Sequence, residues 1–146
     1  MKTKAIWWMI TCFALVLVAG LVYNGCASKQ ASTRIAIEGG WVLPVKIIDT
    51  GERQAYMPSK FTAKVGEVIE LRFTNEDNKA RTADPLANMH GVNLTGPGVS
   101  KSIYELTPGQ TKSITFTVQW GKYEFWCVQE ECDIHEDLWG VIEVTE

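Results

Sequence analysis

Hydrophobic and polar residues alternate with a period of two along much of the chain after residue 30. In "VIELRFTN", residues 68–75, the apolar residues Ile69, Leu71 and Phe73 alternate with polar or charged ones. This is the period of a strand with one buried face. The segment "SITFTVQW", residues 113–120, repeats the pattern, and six shorter segments have the same character: "RIAI", "PVKIID", "KFTAK", "HGVNL", "YEFWC" and "GVIEV".

About eight short strands separated by turns predict an antiparallel β-sandwich or barrel. No long helical period occurs after residue 30, so no helices are expected to cover a parallel sheet. Gly66, Gly121 and the "TPGQ" turn, with Pro108 and Gly109 at its centre, separate the strands. We expect Trp120 and Trp126 to pack, and "NEDNKARTADPLANM", residues 75–89, to form a surface loop.

The first 26 residues have a different character. Lys2 and Lys4 precede nineteen residues without a charge, which are enough to cross a bilayer as a helix. We interpret residues 1–26 as a transmembrane anchor, a cleaved signal segment or a lipoprotein signal ending at Cys26. Residues 30–146 are then a single domain, which all three interpretations place outside the cytoplasm.

The charge of the domain limits its partners. The chain has a net charge of −3, and leaving out the two lysines of the leader gives −5 for the remainder. An acidic surface argues against nucleic acid and suits a basic protein partner.

Candidate chemistry is concentrated in "CVQEECDIH", residues 127–135. Cys127 shares a strand face with Tyr123 and Phe125, and His90 shares one with Val92 and Leu94. Because the aromatic and aliphatic residues of these faces should be buried, Cys127 and His90 are expected to point inward at one pole of the sandwich. His135 follows Cys127 by eight residues.

A thiolate together with imidazoles selects copper or zinc over hard cations. Glu130 and Glu131 are close enough in sequence to reach the same ion. The alternative for the two domain cysteines, Cys127 and Cys132, is a disulfide, because the compartment is oxidising.

Residues 57–146 resemble a cupredoxin domain, most closely the copper-A domain of cytochrome c oxidase subunit II in its form with one N-terminal helix. The resemblance implies a Greek-key β-sandwich with a two-copper, one-electron site. His90, Cys127 and His135 match copper ligands of that family, and Gln129 falls where the family offers a backbone carbonyl. The family's second cysteine falls on Glu131, one residue before Cys132, and its methionine falls on Leu138.

The chain also resembles nitrosocyanin, in its "WC" entry and in the eight-residue step from Cys127 to His135. That resemblance implies one copper ion with a carboxylate ligand, here Glu130 or Glu131. The expected ligands are therefore His90, Cys127, Cys132 and His135, with Glu131 and Gln129 as further candidates, around one or two copper ions.

The expected function is a membrane-tethered, extracytoplasmic one-electron carrier whose partner is a c-type cytochrome or an oxidase subunit. Three alternatives remain open: an oxidase subunit II with a modified copper-A site, a periplasmic copper-delivery protein, and a metal-free module closed by a Cys127–Cys132 disulfide.

Overall fold

The structure is a computed structural model that describes residues 34–51, 53–77, 87–128 and 138–146. The predicted leader at 1–26 lies outside these residues, as does the segment 129–137. No helix long and apolar enough to cross a membrane is found in the described ranges. Their strands are β1 (Ile35–Ile37), β2 (Gly40–Asp49), β3 (Gln54–Met57), β4 (Lys60–Lys64), β5 (Val68–Asn75), β6 (His90–Gly96), β7 (Val99–Leu106), β8 (Thr111–Thr117), β9 (Lys122–Trp126) and β10 (Trp139–Thr145).

The strands form two sheets that pack face to face. One sheet has the order β1-β2-β5-β8, with β3 also paired to β2, and the other has the order β4-β10-β9-β6-β7. The prediction of an all-β sandwich is confirmed. The expected antiparallel pairing is found in six of the eight strand pairs described, and the exceptions are β2 with β5 and β10 with β4, which pair in parallel. Between β2 and β5 the chain forms β3 and β4, and β5 then returns to the first sheet to pair with β2.

The core lies between the sheets and has an aromatic centre. The rings of Tyr56, Phe73 and Phe125, from β3, β5 and β9, have centroids 5.3 to 5.8 Å apart in tilted or edge-on arrangements. Such geometries are favoured by the ring quadrupoles and add to the burial of apolar area. The inward residues predicted for β5 and β8 are confirmed, because Ile69, Leu71, Phe73, Ile114, Phe116 and Val118 are all buried.

Trp120 is a correction to the strand pattern. Its side chain is 65% exposed, although the alternation of residues 113–120 placed it on the inward face. β8 ends at Thr117, and the chain turns through Gly121, which has a φ of +142°. The alternation therefore continues in the sequence beyond the point where the strand has ended.

Two strands, β3 and β7, were not predicted. β3 is only four residues long, and one of its two buried residues is the polar Gln54. In β7 the buried residues are Val99, Ile103 and Leu106. Lys101, which a period of two would bury, is exposed, and the step of three from Ile103 to Leu106 breaks the period. That step of three reflects a register shift where β7 pairs with β6.

The predicted turn before β8 is confirmed. Gly109 has a φ of +80°, a conformation that glycine adopts without steric cost, and the amide of Gln110 donates to the carbonyl of Thr107 at 3.0 Å. The turn delivers β8 to the edge of the first sheet.

Candidate metal centre

His90 and Cys127 lie at the same end of the sandwich. His90 is the first residue of β6 and Cys127 directly follows β9, and these strands are antiparallel neighbours with Asn93 opposite Trp126. The start of β6 and the end of β9 therefore lie side by side. The amide of Cys127 also donates to the carbonyl of Leu138 at 3.1 Å, which fixes the end of β9 against the start of β10.

Both side chains point inward, as the strand pattern predicts. His90 is completely buried and Cys127 is 8% exposed. Leu94 lies on the same face of β6 as His90, four residues further along the strand, and it is opposite Phe125 of β9. The alternation of each strand thus sets the direction in which the imidazole and the sulfur point.

The imidazole of His90 is held by a buried carboxylate that the sequence pattern did not reveal. Nε2 of His90 lies 3.2 Å from Oδ2 of Asp77, and neither side chain is exposed to solvent. The same Oδ2 accepts a hydrogen bond from Nε2 of Gln54, whose amide also donates to the carbonyl of Ala87 at 3.1 Å. A hydrogen on Nε2 of His90 would be donated to Oδ2, and Nδ1 would then be the nitrogen able to bind a metal ion.

Asn75 organises the segments around His90. Its Nδ2 donates to the carbonyls of Asn88 and Leu106, both at 2.8 Å, and its Oδ1 accepts from the amide of Asp77 at 2.9 Å. One buried carboxamide therefore connects the end of β5, the approach to His90 and the end of β7, where Leu106 pairs with His90.

The expectation that residues 75–89 form a surface loop is wrong at both ends of the segment. Asn75, Asp77 and Ala87 are buried, while residues 78–86 lie outside the described part of the chain. The only local signal was an Asn-x-Asp sequence directly after a strong strand, and this pattern also occurs in solvated turns.

Cys127 and Tyr56 belong to the same buried core cluster. Burial, and after it the charge of a Cys127 thiolate, raises the pKa of the Tyr56 phenol well above its ordinary value. The Tyr56 hydroxyl is 3.4 Å from the carbonyl oxygen of Gly91, the residue that follows His90. Tyr56, from the opposite sheet, therefore approaches both β6, through Gly91, and β9, through Phe125.

The other candidate ligands, Gln129, Glu131, Cys132 and His135, lie outside the described residues, as does Glu130. Within the described ranges no group of three or more His, Cys, Asp or Glu side chains is placed to hold a metal ion. The structure thus places one imidazole and one sulfur at a common pole, and their chemistry, a soft thiolate with an imidazole, fits copper.

Comparisons with known proteins agree with the architecture. No family model and no curated protein matches the chain. Among solved structures, auracyanin B superposes with a TM-score of 0.53 at 16% identity, covering 80% of this chain and 97% of its own. A chain of a heme-copper terminal oxidase dimer gives 0.52 at 15% identity, covering 97% of this chain and 94% of its own.

A third similar structure is the metal-binding domain of the Cu(I)-exporting P-type ATPase of Streptococcus pneumoniae, solved with Cu(I). Its TM-score is 0.51 at 18% identity, and the match covers 77% of this chain and 93% of that domain. At these identities the likeness establishes a common fold. The described part of the chain accordingly has the cupredoxin fold, as the resemblance implied.

Proposed function

We propose that this protein binds copper and carries single electrons outside the cytoplasm. One observation carries the proposal: the buried imidazole of His90, oriented by Asp77, lies at the same pole of the sandwich as the inward-facing Cys127. An inward imidazole and an inward sulfur at one end of a cupredoxin sandwich are suited to a redox metal.

Copper, when bound, supplies the one-electron exchange between Cu(I) and Cu(II). His90 would hold it through Nδ1 and Cys127 through its sulfur; His90 begins β6 and Cys127 directly follows β9, the strand paired with β6. A rigid donor set limits the rearrangement that accompanies a change of oxidation state. The Cu(I) in the Streptococcus pneumoniae domain, which has the same fold, supports the choice of copper.

The remaining ligands are proposed from the sequence. Cys132 and His135 complete the set, with the Glu131 carboxylate and the Gln129 backbone carbonyl as further donors to one or two copper ions. We propose residues 1–26 as the membrane attachment, with the domain on the extracytoplasmic side. The net charge of −5 outside this segment suits a basic redox partner, such as a c-type cytochrome or an oxidase subunit.

The test uses the full-length chain purified in a mild detergent. It is loaded with Cu(II), freed of excess metal, and analysed for copper per chain, visible absorption and electron paramagnetic resonance. We expect stoichiometric copper, a thiolate-to-copper absorption band and reversible reduction. Cys127→Ser should remove the band, while Cys12→Ser, which removes a thiol from the apolar N-terminal stretch, should retain it.

The spectrum also separates the alternative assignments. Spin shared over two copper nuclei would favour the copper-A type of site, despite the one-residue shift of Cys132. Spin on a single nucleus would favour a mononuclear site. Absence of copper uptake, together with unreactive thiols at Cys127 and Cys132, would overturn the proposal in favour of a disulfide-closed module.

A further inference from the structure

We propose that Asp77 is a positioning residue for His90: it holds the imidazole in the Nε2–H form, directs Nδ1 to the metal and favours Cu(II) over Cu(I). The statement about copper rests on the proposed function. The statement about the ring rests on the geometry alone.

The geometry is specific to this pair. Oδ2 of Asp77 lies 3.2 Å from Nε2 of His90 and also accepts from the Gln54 amide, so two donors converge on one carboxylate oxygen. Asp77 is itself fixed, because its amide donates to Oδ1 of Asn75. A carboxylate that accepts the remote N–H of a metal-binding histidine sets the orientation of the ring and makes the other nitrogen a stronger donor.

The energetic cost of this arrangement argues that it serves the site. Asp77, Gln54 and His90 are all completely buried. Among the atoms described, Oδ1 of Asp77 and Oε1 of Gln54 have no hydrogen-bond partner. Burial of a carboxylate is unfavourable unless its hydrogen bonds compensate for the lost hydration, so apolar residues in place of Asp77, Gln54 and His90 together would be less costly for folding alone.

The hydrogen bonds around Asp77 also connect the imidazole of His90 to residues that are far from it in the sequence. Gln54 belongs to β3 in the first sheet and also binds the carbonyl of Ala87, three residues before His90. The imidazole is thus held from the sheet opposite its own.

The first test needs no metal. In the full-length wild-type chain labelled with ¹⁵N at histidine, the imidazole nitrogen shifts and their couplings to ring protons distinguish the Nε2–H from the Nδ1–H form. We expect metal-free His90 to be in the Nε2–H form. Asp77→Asn, which keeps the shape and removes the charge, should give a mixture of the two forms.

The second test uses copper. Loss of a partner of a metal-binding histidine typically weakens metal affinity by about 10- to 100-fold. We expect Asp77→Asn to lose Cu(II) affinity in this range with little change for Cu(I), which would raise the reduction potential by roughly 60 to 120 mV. The control is Glu76→Gln, which removes the same charge from the neighbouring exposed residue, whose partner is Lys46 at 2.9 Å.

The outcomes separate the two proposals. If wild-type His90 is found in the Nε2–H form but the protein takes up no copper, the positioning of the ring stands and the copper function fails. An Nδ1–H form in the wild type would overturn the role of Asp77 whether or not copper binds. So would unchanged copper affinity and potential in Asp77→Asn, or equal effects of Asp77→Asn and Glu76→Gln.

Discussion

The backbone of Gly91 lies directly against the side chain of Val128. A Cβ atom at position 91 would be 2.1 Å from Cγ2 of Val128 and 2.9 Å from the carbonyl oxygen of Ile103. Gly91 directly follows His90 and Val128 directly follows Cys127, so this contact determines how closely the two candidate ligand strands approach each other.

We therefore predict that Gly91→Ala destabilises the protein by about 1–3 kcal/mol, because an added methyl group in a packed position forces side chains and backbone to move. Equilibrium urea unfolding of the full-length chain measures the effect. Val128→Ala in the Gly91→Ala background should recover part of the loss, since it removes the nearer of the two contacts.

The double-mutant cycle supplies the control for this prediction. Val128→Ala alone should destabilise the wild type by leaving space, so the two substitutions should be strongly non-additive. A Gly91→Ala variant as stable as the wild type, or additive effects of the two changes, would show that the strands do not approach as closely as the structure indicates.

Glu105 is the one residue other than glycine with a positive φ among the residues described, at +54°. It lies in β7 where the register shifts: His90 is opposite Leu106, but Val92 is opposite Ile103. The extra residue is a β-bulge, a feature common beside functional sites. Lys112 stabilises it by donating to the carbonyls of Tyr104 at 2.7 Å and Glu105 at 3.2 Å.

We predict that Glu105→Gly stabilises the protein by up to about 1 kcal/mol, because the left-handed conformation costs an L-residue roughly 1–2 kcal/mol and glycine almost nothing. Thermal and urea unfolding measure the change. Glu143→Gly, an exposed position of β10, is the matched control and should lower the stability by about 0.5–1 kcal/mol. A loss of stability in both variants would contradict the assigned bulge.

The same bulge shows why the sequence pattern predicts some parts of this fold and not others. β5 and β8 were found because their buried residues follow an uninterrupted period of two, which is a property of the local sequence. β7 was not found because its extra residue breaks that period. The cause of the break is the pairing with His90 and Val92, which a local pattern cannot show.

The candidate metal centre likewise has some features that the sequence predicted and others that it did not. The inward directions of His90 and Cys127 follow from the alternation within their own strands and were predicted. The role of Asp77 was not predicted, because its partners Gln54 and His90 are 23 and 13 residues away and meet it only after the two sheets pack. A polar residue after a strand is usually solvated, so the sequence predicted an exposed Asp77, whereas its side chain is buried.

Glu70 gives the protein a defined response to acid. Its Oε1 accepts from the hydroxyl of Ser113 and from Nε of Arg72, both at 2.8 Å. The Ser113 hydrogen bond, followed by the Arg72 hydrogen bond, lowers the pKa of this carboxyl below its ordinary value. The unfolded chain has a glutamate pKa of about 4.3. The stabilisation is therefore fully present above that pH and is lost as the pH falls through the lower pKa of the folded state.

We predict that Ser113→Ala is less stable than the wild type at pH 7, by roughly 0.5–1 kcal/mol for a partly exposed charged hydrogen bond. The deficit should shrink as the pH falls below 4, because a protonated Glu70 no longer benefits from a charged interaction with the hydroxyl. Urea unfolding at pH 7, 5 and 3 measures this dependence, with Ser100→Ala on the exposed face of β7 as the control. A deficit that stays constant across this range would mean that Ser113 acts through packing and not through the carboxylate of Glu70.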